Sequence, residues 1–568
     1  MKKTITTKIS PALLAVLCAV FGLAGCGDQS AADRIYLNGD ILTMDKRNPT
    51  AEALAVKGEK IVAVGSRAEI AALAGAETET VDLQGKALLP GFVAAHEHPA
   101  ISAVFYNFVD MSGFSHDSAE SAWGALRKAV DSAPAGDWVY AMGLDPVLLP
   151  GLQPPTRAQL DRLAPDNPVF IISQSLHNAW VNSSALAAMG IDEQSPDPGE
   201  GSYYGRDADG RLNGALVEKP ALEPFLETHK NPLHVIPAYS AVLSDLRRAG
   251  YTSVASLGFN MPALAARWAS LQDLEPRIRQ FFYYRGENLR KLDGSPETGS
   301  DFFRVQGGKF WYDGSPYSGS MVIEQPYLDS ELARQLGIAH GSHGEPVVTQ
   351  KELVEEISGL QQRGWQTATH VQGDRAARAY IAAMREVRDA LPAAEQQAFA
   401  ARRHRLEHGL LLDRELLPAL AELGVTPSFH INHLYYYGEA LHGQLLGPAR
   451  TERILPVRNA FALHMHPTLH ADSPMFPAAP FSLMQTAITR RTRGGSVIGA
   501  DEAITREQAL RAMTINGAWQ LGMEDRIGSL APGKLADLVI VDRNPLDVPA
   551  DQWREIKVER SILAGQPN

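Results

Sequence analysis

The sequence predicts an α/β fold, most simply a (β/α)8 barrel, and three observations carry that expectation. Short apolar runs alternate with helical patterns from about Gly91 to Gly522. Both chain ends instead have the texture of strands and tight turns. All 17 histidines fall between His96 and His470, inside the alternating region. Composition is ordinary for a globular chain: 568 residues, 45% hydrophobic and 21% charged. That excludes disordered, collagen-like and coiled-coil classes. The length admits about two to four domains, or one large barrel with insertions. A formal net charge of −12 argues against a protein that neutralises nucleic-acid phosphates.

The first residues read as a secretory signal. Lys2, Lys3 and Lys8 precede a short apolar run that ends in Leu23-Ala-Gly-Cys26. Its end resembles the bacterial lipobox. That resemblance implies cleavage after residue 25 and a lipid on Cys26, with residues 26–33 as a tether. Gly27 after that cysteine, rather than Asp, points to the outer membrane and a chain facing the periplasm. The expected partner on this side is therefore the membrane, reached through Cys26. Loss of three lysines takes the formal charge to −15. The other cysteine, Cys18, leaves with the signal, so no intrachain disulfide is expected.

Residues 34–90 then give Ile35–Met44 around a glycine turn, a hairpin over Ala53–Gly65 turning at Lys57-Gly-Glu-Lys60, and a pair over Val81–Pro90. Residues 523–568 have the same character, with strands over Leu538–Val541 and Val558–Ala564. Between them, strand candidates are Gly91–Ala95, Trp138–Gly143, Val169–Ser173, Ser253–Ser256, Gly308–Tyr312, Thr367–His370, Arg405–His408, Val425–Phe429 and Thr468–Ala471. Helices are expected over Pro237–Ala249, Lys351–Arg363 and Arg375–Ala390, the first opening on a proline. More than eight strand candidates imply an insertion, placed at roughly 110–230 within a barrel of residues 91–522. A doubly wound open sheet is the competing fold. No glycine-rich phosphate loop follows an early strand, which counts against it.

His96-Glu-His98 closes the first strand candidate. Residues two apart on a strand face the same side, so both imidazoles can converge on one cation. His370, His408 and Asp472 each end a short apolar segment, where a barrel strand would stop. Four ligand-type positions at successive strand ends would meet at the C-terminal mouth.

These blocks resemble the amidohydrolase superfamily, within it the amidohydrolase-3 or YtcJ-like branch. The likeness is carried by Leu89-Pro-Gly-Phe-Val-Ala-Ala-His-Glu-His98, Gly308-Lys-Phe-Trp-Tyr-Asp-Gly314, His370-Val-Gln-Gly-Asp-Arg-Ala376, Arg405-Leu-Glu-His408, Ala471-Asp-Ser-Pro474, Ile515-Asn-Gly-Ala518 and Gly528–Val539. It implies a (β/α)8 barrel with a small β-sandwich built from both termini. It also implies a divalent metal, usually zinc, as one or two ions. His96 and His98 would hold one ion with Asp472, and His370 and His408 a second or the rest of the site. Lys309 would join as a ligand if carboxylated. Asp472 would be the catalytic proton shuttle for a metal-activated water. Ala94, where the branch often has Asp, and Val-Gln in place of Ala-Ile after His370 are departures.

On the substrate side, the branch likeness makes His177 a pocket candidate. Phe429-His-Ile-Asn-His-Leu-Tyr-Tyr-Tyr437 offers His430, preferred to His433 because it is nearer the strand end. His464 and His466 read as structural. The leading expectation is hydrolysis of a C–N bond in a small amide-like molecule. An ester or lactone hydrolase on the same site, and a non-catalytic envelope binding protein, are the alternatives. Homo-oligomerisation is left open.

Overall fold

The computed structural model describes residues 31–199, 202–259, 277–285, 296 and 299–567. The signal, Cys26 and most of the tether lie outside them. Eight parallel strands form the central sheet: β1 (Phe92–Glu97), β2 (Tyr251–Phe259), β3 (Arg279–Arg285), β4 (Phe303–Trp311), β5 (Gln366–Val371), β6 (Arg405–His408), β7 (Thr426–Phe429) and β8 (Thr468–Leu469). Each pairs with the next in sequence, and the sheet curls into a nearly closed barrel. Between β8 and β1 the seam is closed by other means. The His98 N–H donates to Ser473 O at 3.0 Å. The Glu97 carboxylate accepts the N–H groups of Ala471 (3.2 Å) and Ser473 (2.5 Å).

Seven of the nine strand candidates are barrel strands. The other two, at Val139–Leu144 and Val169–Ser173, belong to a separate six-stranded sheet. That sheet runs from Val109 to Val217, between β1 and β2 in sequence. The strand missing from the expectation is β3, Arg279-Gln-Phe-Phe-Tyr-Tyr-Arg285. In the fold Arg279 is fully buried, with Nε 2.6 Å from Asp537 Oδ2 and Nη2 2.9 Å from Oδ1. This bidentate pair welds the barrel floor to the C-terminal strands.

Helices cover the outside. Gln350–Gln362 starts at a capping box in which Thr349 accepts from the Glu352 N–H and Glu352 accepts from the Thr349 N–H. Its Leu353, Ile357 and Leu360 recur at helical spacing and are buried. Asp374–Asp389 buries Tyr380, Ile381, Met384 and Val387 in the same way. The helix expected to open at Pro237 runs over Pro232–Arg248 instead. Asn231 caps it by accepting from the Leu233 N–H at 2.9 Å, and Pro232 takes the first helical position.

The two ends build the sandwich. One sheet holds Ala32–Leu37, Ala53–Lys57, Lys60–Gly65 and Ala74–Asp82. The other pairs Ala87–Pro90 with Leu538–Val541, so the two termini share one sheet. Their facing sides bury Leu54, Val56, Ile61, Leu88, Leu538, Ile540 and Ile562. The Ile515–Ala518 motif lies at the barrel floor beside the β8–β1 seam. A Cβ at Gly517 would come within 2.8 Å of Val93 on β1, and Asn516 Nδ2 donates to Pro467 O at 2.9 Å.

Candidate metal centre and active site

The parallel register sets Lys309, His370 and His408 towards the same end of the barrel. His370 pairs across to Glu407, and His408 lies opposite both Val371 and Phe429. Asp472 stands at the centre of the cluster. One of its oxygens, Oδ1, is 3.1 Å from His96 Nε2 and 2.9 Å from His98 Nε2. The other, Oδ2, is 4.0 Å from His408 Nδ1 and 3.9 Å from His430 Nδ1. His370 packs beside His408 with ring centres 4.1 Å apart. His408 (φ 76°) and Asp472 (φ 61°) are among the non-glycine residues held at positive φ, a strained backbone conformation.

The hydrogen bonds of the first two histidines settle their tautomers. His98 Nδ1 lies 2.6 Å from Leu257 O, which can only accept, so Nδ1 carries the proton. His96 Nδ1 lies 2.6 Å from Glu407 Oε2. Burial would push the Glu407 carboxyl up, but Arg405 and then His96 outweigh it and bring it down to about 2. It is ionised and accepts. With both rings neutral, the two Nε2 lone pairs face the same carboxylate oxygen. An oxygen that faces two such lone pairs at about 3 Å is repelled by both, an arrangement that a proton or a metal cation among them relieves. The donor set of imidazole and carboxylate fits a divalent metal such as zinc.

Electrostatics agree. Burial pushes His96, His370, His408, His430 and His470 down, so they stand neutral at pH 7, the form that ligates cations. Burial also pulls the Lys309 ammonium down to about 8; the residue is 1% exposed. Lys309 Nζ, His370 Nε2, His408 Nδ1 and both ring nitrogens of His470 are buried without a hydrogen-bond partner among the described residues. Asp313 ties the loops of β4 and β5 together: its carboxylate accepts from Val322 (3.1 Å), Gln372 (2.9 Å) and Gly373 (3.0 Å). Glycine is required at 373, since a Cβ there would sit 1.9 Å from Val322 O.

The barrel mouth thus gathers His96, His98, His370, His408, Asp472 and His430. Lys309 is buried at the same end of the barrel. His177 stands apart on the inserted sheet, where its Nδ1 faces Glu218 at 3.1 Å and its side chain is 41% exposed. His464 and His466 have no part in the cluster; His466 stacks on Trp519. Two residues escaped the sequence reading. His470 shares a group with His96, His408 and Asp472 whose ligand atoms lie within 4.8 Å of one another. Its spacing in His470-Ala-Asp472 repeats that of His96 and His98, and would have exposed it. Glu407 was visible only as part of a motif. His433 is buried beside His430, with ring centres 4.1 Å apart.

A parallel barrel with a buried, cation-demanding cluster at the C-terminal ends of its strands defines a barrel enzyme. The sequence model of the amidohydrolase family matches residues 79–567, and the chain belongs to that family. It is 28% identical to an N-substituted formamide deformylase of Arthrobacter pascens, over 94% of this chain and 97% of that one. It is 24% identical to the putative amidohydrolase YtcJ of Bacillus subtilis, over 94% and 98%. In fold it is similar to an uncharacterised metal-dependent hydrolase of Pyrococcus horikoshii, with a TM-score of 0.71 at 23% identity, over 91% of this chain and 99% of that one.

Proposed function

We propose that this chain is a metal-dependent hydrolase that cleaves a C–N, amide-like bond in a small molecule. The observation that carries the reading is the meeting of the His96 and His98 Nε2 lone pairs on Asp472 Oδ1. His96, His98 and Asp472 would hold one ion, most simply zinc. His370 and His408 would complete the site or hold a second ion, and Lys309 joins only as a carbamate. A bound ion supplies Lewis acidity, which acidifies a water and polarises a carbonyl.

The remaining work falls to the chain. Glu407 and Leu257 O hold the rings of His96 and His98 in the ligating tautomer. Glu97 anchors the backbone on both sides of Asp472. Asp472 takes the proton of the attacking water and passes it to the leaving nitrogen. His430 lines the pocket, and His177 is the candidate contact from the inserted sheet. The deformylase relative, by its name, acts on N-substituted formamides; that chemistry is the first to try here. The envelope location rests on the lipobox-like Leu23–Cys26 alone. A tagged fatty acid should label the protein in cells, and Cys26→Ser should abolish the label.

The test of function is a panel of N-substituted formamides, N-acyl amines, cyclic amides, esters and lactones offered to metal-loaded protein. Amide turnover that chelation removes and zinc restores supports the reading. Turnover of esters alone selects the ester alternative. No bound metal and no gain on adding zinc, manganese or iron would sink the enzyme.

A further inference from the structure

Beside the metal cluster runs a hydrogen-bond relay that the hydrolytic steps do not use. It begins at a donor of fixed direction, the backbone N–H of Leu410, which reaches Gln372 Oε1 at 3.3 Å. This bond orients the amide, so Gln372 Nε2 faces His433 Nε2 at 3.1 Å. An amide nitrogen only donates, so His433 Nε2 must accept. A neutral imidazole carries one proton, which is then on Nδ1. That nitrogen lies 2.7 Å from Tyr317 Oη and donates to it. The hydroxyl hydrogen of Tyr317 is left over, and it has no acceptor among the described residues. A tyrosine with a merely structural role would turn this hydrogen onto the histidine; the relay forbids that.

The position suits a ligand contact. Tyr317 lies in the segment after β4, at the mouth, and is only partly buried. Its ring stacks on Tyr437, centres 4.1 Å apart, and Tyr437 donates to Asp145 Oδ2 of the insertion at 2.6 Å. Both the barrel and the insertion thus hold the phenol still. Its histidine partner stands next to His430, which approaches Asp472.

We propose that Tyr317 is a substrate-binding residue whose hydroxyl donates to a carbonyl or carboxylate oxygen of the molecule processed at the mouth. His433 and Gln372 are positioning residues that fix the direction of that bond. A ligand with no oxygen there leaves a desolvated donor unpaired, so the device selects for an acceptor. This inference rests on the hydrolase reading above and deepens it.

Two measurements on zinc-loaded protein test it without turnover. Selective 15N-histidine NMR, with His433 assigned by substitution, should show the proton on Nδ1. Gln372→Glu offers the ring an acceptor in place of a donor and should move the proton to Nε2. The second measurement is the affinity for butyrate, a carboxylate that resembles an amide-hydrolysis product. Tyr317→Phe should weaken it roughly threefold to tenfold, with zinc content and melting temperature unchanged. A proton found on Nε2 or on both nitrogens in the wild type overturns the relay, as does an unmoved proton in Gln372→Glu. Equal butyrate affinity in wild type and Tyr317→Phe, or no butyrate binding at all, overturns the assignment of Tyr317. Failure of the hydrolase reading is seen separately, as absent turnover across the amide panel.

Discussion

The two ends of the barrel use their buried polar groups differently. At the floor the large amides and Arg279 are spent on the protein itself. Gln366 Nε2 faces the carbonyls of Arg402, Arg403 and Gln520 at 3.2, 2.7 and 2.9 Å. Gln520 Nε2 reaches Thr426 Oγ1 and Pro427 O at 2.9 and 3.0 Å, while its Oε1 accepts from Thr468 at 3.1 Å. Arg279 is answered by Asp537. At the mouth, Lys309 Nζ, His370 Nε2, His408 Nδ1 and both nitrogens of His470 are buried and unanswered. An unmade hydrogen bond costs about 1–3 kcal/mol. The floor carries that cost at scattered groups, Ser253 Oγ, Trp365 Nε1 and His404 Nε2 among them, whereas the mouth gathers it in one cluster. The clustering is what singles out the mouth: ligand-type groups left open side by side, with Asp472 among them, suit a bound cation.

The largest expected effect breaks the mouth without touching the floor. Asp472→Asn should lower kcat roughly a thousandfold. It should keep most of its zinc and its melting temperature. A rate within a few-fold of wild type would remove the proton-shuttle role.

The floor should break the other way. Arg279→Met strands the Asp537 carboxylate in the interior and should cost about 3–5 kcal/mol in urea unfolding. The folded fraction should keep its specific activity. A loss of activity per folded molecule would mean that the two ends are coupled.

Metal addition sharpens the contrast next. Zinc at a hundredfold excess over its Kd should raise stability by about 2.7 kcal/mol. The gain should survive in Arg279→Met and vanish in His96→Ala. Equal gains in both variants would place the ion elsewhere.

The smallest effect is a pH slope from the floor. Burial pushes His404 from 6.5 down to about 3. Between those values the unfolded chain binds a proton that the native chain refuses, so stability falls as pH drops through this window. Between pH 6 and pH 5 the wild type should lose about 1 kcal/mol more than His404→Gln, which keeps an acceptor for the Thr367 N–H. Parallel curves for the two proteins would show that His404 does not titrate in this way.

Much of the architecture was legible in the sequence because its cause is local. The helices near Lys351 and Arg375 follow from apolar residues at helical spacing, the first with a capping box. His96 and His98 could be paired on paper because two residues on one strand must share a face. The same reasoning applied to His470 and Asp472 would have added the ligand-type residue that was passed over. Strand β3 was missed; its opening arginine is buried against Asp537, 258 residues away, a partner no local pattern shows.

What the sequence alone determined is periodic: alternation, strand ends, turn chemistry, and the donor types placed at those ends. Three things were decided only by the tertiary structure. It brought Asp472 against the imidazoles of His96 on β1 and His98 just after it, placed Glu407 behind His96, and ran a relay from Leu410 to Tyr317. Each of these depends on distances between residues far apart in the chain. Such distances come from the closure of the sheet and the packing of its loops, which no local pattern encodes.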